Sequence, residues 1–471
     1  MTGETSVRRA HPRSLPHILL ITCHDLGRHL GCYGVETVHS PHLDALAQSG
    51  VRFSHAFTTS PGCSPARAAL ATGRYPHANG VMGLTHPPFG WDLAPGEMHM
   101  AQILASAGYS THLFGFQHVS PHVERLGFQH THGFDEVLGC HDKPGWARNV
   151  AGRVAHFLEH IETDNPLYVE INLEEPHRPY DQDGAGPDES KGVFVPGYLP
   201  AGPAARAEMA ELQGAIRQAD AGIGKILGAL DSSDLRESTI VIFMADHGLA
   251  MPRAKCTLYD PGLEISLLMR WPAAGFAGGR VFPEMVSNID VLPTILEALD
   301  LPVPTTVQGH SFLPLLRGEQ YIPRSVVFGE KTYHSYLDPM RAVRTDRFKY
   351  IRNFEATFAV EVPGDVQAGR IYREHVGLYV SGEHPPVELY DLDADPLEHR
   401  NLAGDPDLVG VERWLDTRLW SWMEETGDPL LYGPIVSPAY RESLAQARPK
   451  RLRDGEDEPS QSDEGDELSR A

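Results

Sequence analysis

Three short apolar runs in this chain are each followed directly by charged side chains. Residues 17–22 read HILLIT, 166–173 read PLYVEINL and 239–245 read TIVIFMA. Apolar runs of this length are typical of strands buried on both faces of a parallel sheet. They are followed by Asp25, Glu174 and Asp246. Because ligands bind outside the carboxyl ends of such strands, the pattern predicts an α/β fold with a site at that edge.

Other patterns divide the chain into parts. The longest helical pattern covers residues 204–230, with apolar side chains at helical spacing. From about residue 340 the sequence alternates as a hairpin does, and 409–426 reads as a helix. We therefore predict an N-terminal tail over 1–16, a large domain over 17–335, a C-terminal α+β subdomain over 336–446 and a disordered acidic tail over 447–471.

Composition narrows the classes of protein that need to be considered. The chain has 471 residues and a formal net charge of -23, which argues against a nucleic-acid binder. Its five cysteines form no CxxC pair and no even framework, so a reducing compartment is expected. The sequence has no apolar run before His17, and the run that follows, 18–21, is too short for a signal-peptide core or a membrane span. We therefore expect a cytoplasmic protein without a membrane partner.

The stretch 58–83 contains the most unusual cysteine. Ser64 suits an N-cap, Pro65 the first helical position and Gly73 the end of the helix. Cys63 is thus expected just before a short helix, where backbone N–H groups favour an anion. Arg67 follows about one turn later and can direct its guanidinium at the same anion. A buried structural thiol is the competing interpretation.

The segment Cys63-Ser64-Pro65-Ala66-Arg67 with Thr72-Gly73-Arg74 resembles the signature of the type I sulfatases. Further elements of that family follow in the same order over residues 17–430: Asp25-Leu26-Gly27, Pro176-His177-Arg178-Pro179, Asp246-His247-Gly248, Lys255 with Tyr259, and Trp271-Pro272. Within the family, Pro76-His77 and Asn79-Gly80 look most like the heparan N-sulfatases, or sulfamidases.

This resemblance implies a fold and a chemistry. The fold is α/β and alkaline phosphatase-like: a large central, mostly parallel sheet flanked by helices, with a smaller C-terminal domain of antiparallel sheet plus helix. In the family the cysteine becomes formylglycine, made by a formylglycine-generating enzyme, and its hydrate attacks sulfur. The implied catalytic residues are Cys63, Arg67, His118, His177 and Lys255. The implied ligands of a divalent metal, Ca²⁺ with Mg²⁺ or Mn²⁺ as alternatives, are His24, Asp25, Cys63, Asp246 and His247.

The resemblance also assigns roles in proton transfer. His118 would accept a proton from the second hydroxyl of the hydrate as sulfate leaves. His177 or Lys255 would protonate the departing oxygen or nitrogen. Two positions depart from the family pattern. His24 stands where the family has an acid, which shifts an all-oxygen metal site toward mixed nitrogen and oxygen ligands. Phe116 stands where the family commonly has a lysine.

The main hypothesis is a hydrolase of sulfate esters or sulfamates, acting on a sulfated sugar. A phosphonate monoester or phosphodiester hydrolase of the same superfamily is the first alternative. A non-catalytic binding protein on a sulfatase scaffold is the second, because fold does not fix function. The choice between O- and N-sulfate, the natural substrate, the metal and the oligomeric state are open at this level.

Overall fold

The computed structural model describes residues 15–132, 146–355, 361–380 and 384–447. A nine-stranded mixed sheet forms the centre of the large domain, in the order β4-β3-β5-β1-β6-β8-β2-β7, with β9 paired to β2. Its strands are β1 (His17–Cys23), β2 (Val51–Phe57), β3 (Ser110–Gly115), β4 (His130–His132), β5 (Leu167–Leu173), β6 (Thr239–Ala245), β7 (Glu264–Ile265), β8 (Leu267–Arg270) and β9 (Arg280–Ser287). The predicted fold class is confirmed.

The three apolar runs of the sequence are neighbours at the middle of this sheet. Strand β1 lies between β5 and β6, parallel to both, and every residue of β5 and β6 is buried. In register, Cys23 is opposite Leu173 on one side and Ala245 on the other. The three strands therefore end at one level, and the polar residues that follow them emerge side by side.

Helices cover both faces of the sheet. The longest, α6, packs against α5 and α1. The helices of the described residues are α1 (Pro41–Ser49), α2 (Cys63–Thr72), α3 (Pro76–Asn79), α4 (Met100–Ser106), α5 (Trp146–His160), α6 (Pro203–Asp231), α7 (Asp260–Leu263), α8 (Val291–Ala298), α9 (Leu313–Arg317), α10 (Gly364–Gln367), α11 (Arg370–Glu374), α12 (Val376–Val380), α13 (Val409–Thr426) and α14 (Pro438–Ala447). Short 3₁₀ turns connect several of them.

Helix α2 differs from its predicted form at one end only. Gly62, in extended conformation, is the N-cap in place of Ser64, so Cys63 is the first helical residue and does not precede the helix. Gly73 ends the helix with a left-handed φ of 65°, as predicted. All ten residues of α2 are buried, so the helix lies inside the protein and Cys63 is buried with it.

A second, four-stranded antiparallel sheet lies toward the C-terminus. Its order is β10 (Val327–Tyr333), β11 (Leu337–Arg344), β12 (Phe348–Asn353) and β13 (Val387–Asp391). Helix α13 packs on it, with the Trp422 ring stacked on Phe328 at 4.8 Å. The sheet begins at Val327, so the predicted boundary at 335–336 falls within the β10–β11 hairpin. Tyr333 pairs with Leu337 across that short connection, which keeps β10 with its partner.

The predicted acidic tail lies outside the described residues except for residue 447, and so does the predicted N-terminal tail apart from residues 15 and 16. Among the helices that the structure describes, none combines the length and the apolar character needed to cross a membrane.

Candidate active site

Cys63 lies beside a buried group of polar side chains at the carboxyl ends of β1 and β6. Its Sγ lies 3.4 Å from His247 Nε2. The ligand atoms of His24, Cys63, Asp246 and His247 all lie within 4.8 Å of one another. The strand ends thus bring one thiol, two imidazoles and a carboxylate to a single point.

Asp25 and the Asp246-His247 pair are held in place by their own backbone. The Asp25 N–H donates to Asp246 Oδ1 at 3.0 Å, and the His247 N–H donates to the same oxygen at 2.8 Å. Asp25 has a left-handed φ of 53°, an uncommon conformation that is frequent at functional sites. A Cβ at Gly248 would lie 1.8 Å from the Pro261 carbonyl oxygen, so only glycine allows this loop to pass against α7.

His247 lies between a backbone carbonyl and a carboxylate. Its Nδ1 donates to the Gly248 carbonyl at 3.0 Å. Its Nε2 lies 3.1 Å from Asp25 Oδ1, and this oxygen is buried without a hydrogen bond. A cation placed between these two atoms would be attracted by the carboxylate.

His24 is buried with both ring nitrogens unpaired. Its Nε2 is 3.4 Å from Asp246 Oδ2, yet neither nitrogen makes a hydrogen bond. The ring stacks on His177 at 4.5 Å. Burial, with the Arg67 charge adding to it, holds the pKa of His24 well below its ordinary value. The side chain is therefore a neutral imidazole, the form that binds metals.

Arg67 faces a carboxylate and an aromatic ring. Its Nε donates to Asp246 Oδ2 at 3.1 Å, and one terminal nitrogen donates to Thr22 and Asn172, each at 2.8 Å. The guanidinium carbon lies 4.6 Å from the centre of the Phe116 ring. Phe116, which stands where the family commonly has a lysine, thus packs on the guanidinium of Arg67, and that guanidinium also pairs with Asp246.

Lys255 is buried between two carboxylates. Its Nζ donates to Asp25 Oδ2 and to Asp365 Oδ2, both at 2.9 Å, and lies 3.4 Å from His177 Nε2. Burial opposes the charge, but Asp25 and Asp365 raise the pKa of Lys255 well above its ordinary value. Burial and the Lys255 charge lower the pKa of His177. An ammonium and a neutral imidazole therefore lie side by side.

His118 lies on the Phe116 side of the group. Its ring centre is 4.7 Å from that of Phe116 and 5.6 Å from that of His24, and its Nδ1 is buried without a hydrogen bond. Burial and the Arg67 charge hold the pKa of His118 well below its ordinary value. The predicted role of His118 as proton acceptor stays a prediction.

The structure links the predicted site residues through direct contacts and adds several that the sequence did not reveal. Asp365, at the start of α10, comes from a segment with no recognisable motif. Asn172 lies near the end of β5, where the strand pattern could have indicated it, and Glu174, which that pattern does predict at this edge, follows the same strand. Burial, with Glu175 nearby, raises the pKa of Glu174 to about 8. A cavity of about 690 Å³ adjoins the group at Asp365 and Arg178.

Comparison with known proteins places this geometry in a family. Residues 16–301 match the sulfatase family model, which is more than half of the chain. The chain belongs to the sulfatase family. Residues 247–367 of this sulfatase also match the model of the C-terminal part of N-sulphoglucosamine sulphohydrolase. It is therefore a hydrolase of sulfuric esters or N-sulfo groups, and the predicted enzyme class is confirmed.

Relatives and solved structures agree with that assignment. This sulfatase is 29% identical to human N-sulphoglucosamine sulphohydrolase, over 90% of this chain and 93% of the relative. It is 31% identical to an ulvan-active sulfatase of Formosa agariphila, over 87% and 80% of the two chains. A structure solved with its substrate D-glucosamine-2-N,6-O-disulfate has the same fold, with a TM-score of 0.68, 17% identity and coverage of 89% and 99%. The predicted likeness to sulfamidases is confirmed.

Proposed function

We propose that this sulfatase acts on a sulfated sugar with a formylglycine made from Cys63 and a bound divalent cation. The observation that carries the proposal is the position of Cys63, buried at the first turn of α2 with Sγ 3.4 Å from His247 Nε2. Burial raises the pKa of the thiol well above its ordinary value, so the unmodified side chain is a poor nucleophile. A hydrated aldehyde there would supply a reactive hydroxyl.

The side chains around Cys63 fit a divalent cation. Both nitrogens of His24 and Oδ1 of Asp25 are buried without hydrogen bonds, and His247 Nε2 lies 3.1 Å from that same oxygen. Asp25, Asp246, His247, His24 and position 63 would hold the ion. Ca²⁺ is the ion that the family resemblance implies, whereas the imidazole nitrogens favour a first-row ion such as Mn²⁺. When bound, the ion would polarise the sulfuryl oxygens and the nucleophile.

The protein's own residues supply charge and protons. Lys255 and Arg67 place positive charge beside the site. Of the two, Lys255 is also close to His177, a residue that can carry a proton. His177 Nδ1 donates to the Arg178 carbonyl at 2.6 Å, so its Nε2 is directed at the Lys255 ammonium. Either the Lys255 ammonium or a protonated His177 Nε2 would give a proton to the departing oxygen or nitrogen. On the opposite side, Nδ1 of neutral His118 can accept a proton.

The sugar substrate is supported by the relatives. The human relative is named for N-sulphoglucosamine, and the substrate of the structure described above carries N- and O-sulfo groups on glucosamine. We propose an N- or O-sulfated hexosamine for this chain. We also propose a cytoplasmic location, with a formylglycine-generating enzyme as partner. The location is supported by the spacing of the five cysteines in the sequence, which form no CxxC pair and no even framework. Cell fractionation tests it.

The test combines mass spectrometry with a substrate panel. Peptides of active enzyme, expressed with and without a formylglycine-generating enzyme, are expected to carry formylglycine at position 63 in proportion to turnover. Glucosamine N-sulfate, glucosamine 6-O-sulfate, an aryl sulfate and an aryl phosphonate monoester are then compared. Full activity with only unmodified Cys63, or faster turnover of the phosphonate, would overturn the proposal.

A further inference from the structure

Asp365 is a second carboxylate on the Lys255 ammonium. Its Oδ2 lies 2.9 Å from Lys255 Nζ and 3.7 Å from His177 Nε2. Asp25 already provides one negative charge at 2.9 Å from the same Nζ. One lysine between two carboxylates leaves an excess of one negative charge, at the place where the leaving group would take its proton.

The same side chain also faces the cavity beside the site. Asp365 lines that cavity of about 690 Å³ together with Arg178, Tyr180, Glu208 and Arg370. Three arginines line the cavity: Arg178 binds Glu208, Arg370 donates to Glu211 at 2.6 Å, and Arg373 is the third. The Asp365 side chain is 20% exposed, whereas those of Lys255 and Asp25 are at most 2% exposed. It is therefore the carboxylate of this pair that a bound molecule can touch.

The wall that carries Asp365 is held by apolar packing that does not involve the carboxylate. Val366 and Val362 are buried with Ala250 and Tyr379 in one cluster. Gly369, two residues before Ile371, passes against Glu208, whose carboxylate accepts from the Ile371 N–H at 2.7 Å. Removing the charge of Asp365 while keeping its shape should thus leave this wall in place.

We propose that Asp365 determines substrate specificity by accepting a hydrogen bond from a hydroxyl or amino group adjacent to the scissile sulfo group. The same negative charge disfavours substrates with a second sulfo or carboxylate group at that adjacent position. This inference rests on the proposed function. A site built to hydrogen-bond a substrate donor rejects analogues that lack it, because its own polar group is then left unpaired.

The experiment compares two small substrates that differ by one hydroxyl. Cyclohexyl sulfamate has no donor beside the sulfo group, and trans-2-hydroxycyclohexyl sulfamate has one; the corresponding sulfate esters form the second pair. The wild-type enzyme is expected to prefer the hydroxylated member by about 10- to 100-fold in kcat/KM, the range that a hydrogen bond to a charged group supplies. Asp365→Asn should reduce that ratio to within about 3-fold, because kcat/KM of the hydroxylated substrate falls further than that of its parent. Some fall common to both substrates is expected as well, since Lys255 loses one of its two carboxylate partners.

Glu374→Gln is the matched control. Glu374 is exposed on α11 of the same segment and is absent from the cavity wall, so its loss changes charge without changing the site. The control should keep the wild-type ratio. An equal fall of both substrates in Asp365→Asn would assign a general role to Asp365 and overturn the inference. An unchanged ratio would do the same. Wild-type enzyme that hydrolyses neither series would instead contradict the proposed function, and the inference with it.

Discussion

Two buried lysines of this protein have nearly the same surroundings and different consequences. Lys255 lies in the active site between Asp25 and Asp365, with both N–O distances 2.9 Å. Lys349, on β12, lies between Asp260 at 2.6 Å and Glu398 at 2.7 Å. Neither lysine side chain is more than 2% exposed. Burial and pairing alone therefore do not distinguish a functional charge from a structural one.

The difference lies in the remaining partners. Lys349 donates to a third acceptor, the Leu258 carbonyl, at 3.1 Å, and Arg344 brings a second cation to Asp260 at 3.0 Å. The third neighbour of Lys255 is His177 Nε2, a group that can carry a proton. Beside it, Asp25 Oδ1 and the His24 nitrogens have no hydrogen bond. In the Lys349 cluster one oxygen, Glu398 Oε1, is also without a hydrogen bond, but it lies 2.7 Å from the Lys349 ammonium. The unpaired atoms beside Lys255 have no such cation next to them among the described residues, so that cluster has places for a ligand.

The largest expected effect is on turnover without an effect on folding. Cys63→Ala should lower kcat/KM by more than about 10³-fold, since it removes the source of the nucleophile. The free energy of unfolding should change by less than about 1 kcal/mol, because one sulfur atom is lost. Cys32→Ala, at a half-buried thiol outside the site, is the control and should retain turnover. Activity in Cys63→Ala would show that turnover does not depend on Cys63, and the active-site cluster would then lose its proposed chemical difference from the Lys349 cluster.

The second-largest expected effect is on stability, with little change in turnover. Lys349→Met should lower the free energy of unfolding by about 3–5 kcal/mol, because it leaves Glu398 buried without a cation and Asp260 with Arg344 alone. The kcat of the folded fraction should stay within about 2-fold. Lys255→Met should abolish turnover and cost less stability, since Asp365 is partly exposed and can be hydrated. Urea unfolding of both variants gives the answer, and equal stability losses would show that the two clusters are alike.

The sequence predicts one cluster much better than the other, for a physical reason. Asp25 and Asp246 follow uninterrupted apolar strands, and the parallel register of β1 and β6 brings them together without further information. Asp365 is 110 residues from Lys255, on a short helix whose own pattern indicates nothing. Lys349 lies within an alternating strand, where its burial depends on β13 and α7. Chemistry at strand ends is a local signal, whereas charge pairs between distant segments are not.

The third effect separates the clusters by their response to metal. A divalent ion at 100 times its dissociation constant should stabilise the folded protein by about 2.7 kcal/mol, and a chelator should remove that gain. Asp246→Asn should lose the response, because Asp246 is central to the proposed ligand set. Lys349→Met should keep it in full. Thermal unfolding with Ca²⁺, Mn²⁺ and chelator is the measurement, and a response that survives in Asp246→Asn would place the ion elsewhere.

The smallest effect is a pH dependence that belongs to the Lys349 cluster and needs no ligand. Burial, with Asp260 adding to it and Lys349 opposing it, raises the pKa of Glu398 to about 7. Between its ordinary pKa and 7, the folded carboxyl holds a proton that the unfolded one has released. Stability from this group therefore falls as pH rises, by about 2 kcal/mol from pH 5 to 8.

Glu398→Gln should lose this decrease in stability and become relatively more stable at pH 8. Glu425→Gln, at an exposed acid, should follow the wild type. Urea unfolding at both pH values measures the difference. If wild type and Glu398→Gln change in parallel, the acid is charged throughout and Lys349 is shared equally by two carboxylates, which is the arrangement found at Lys255.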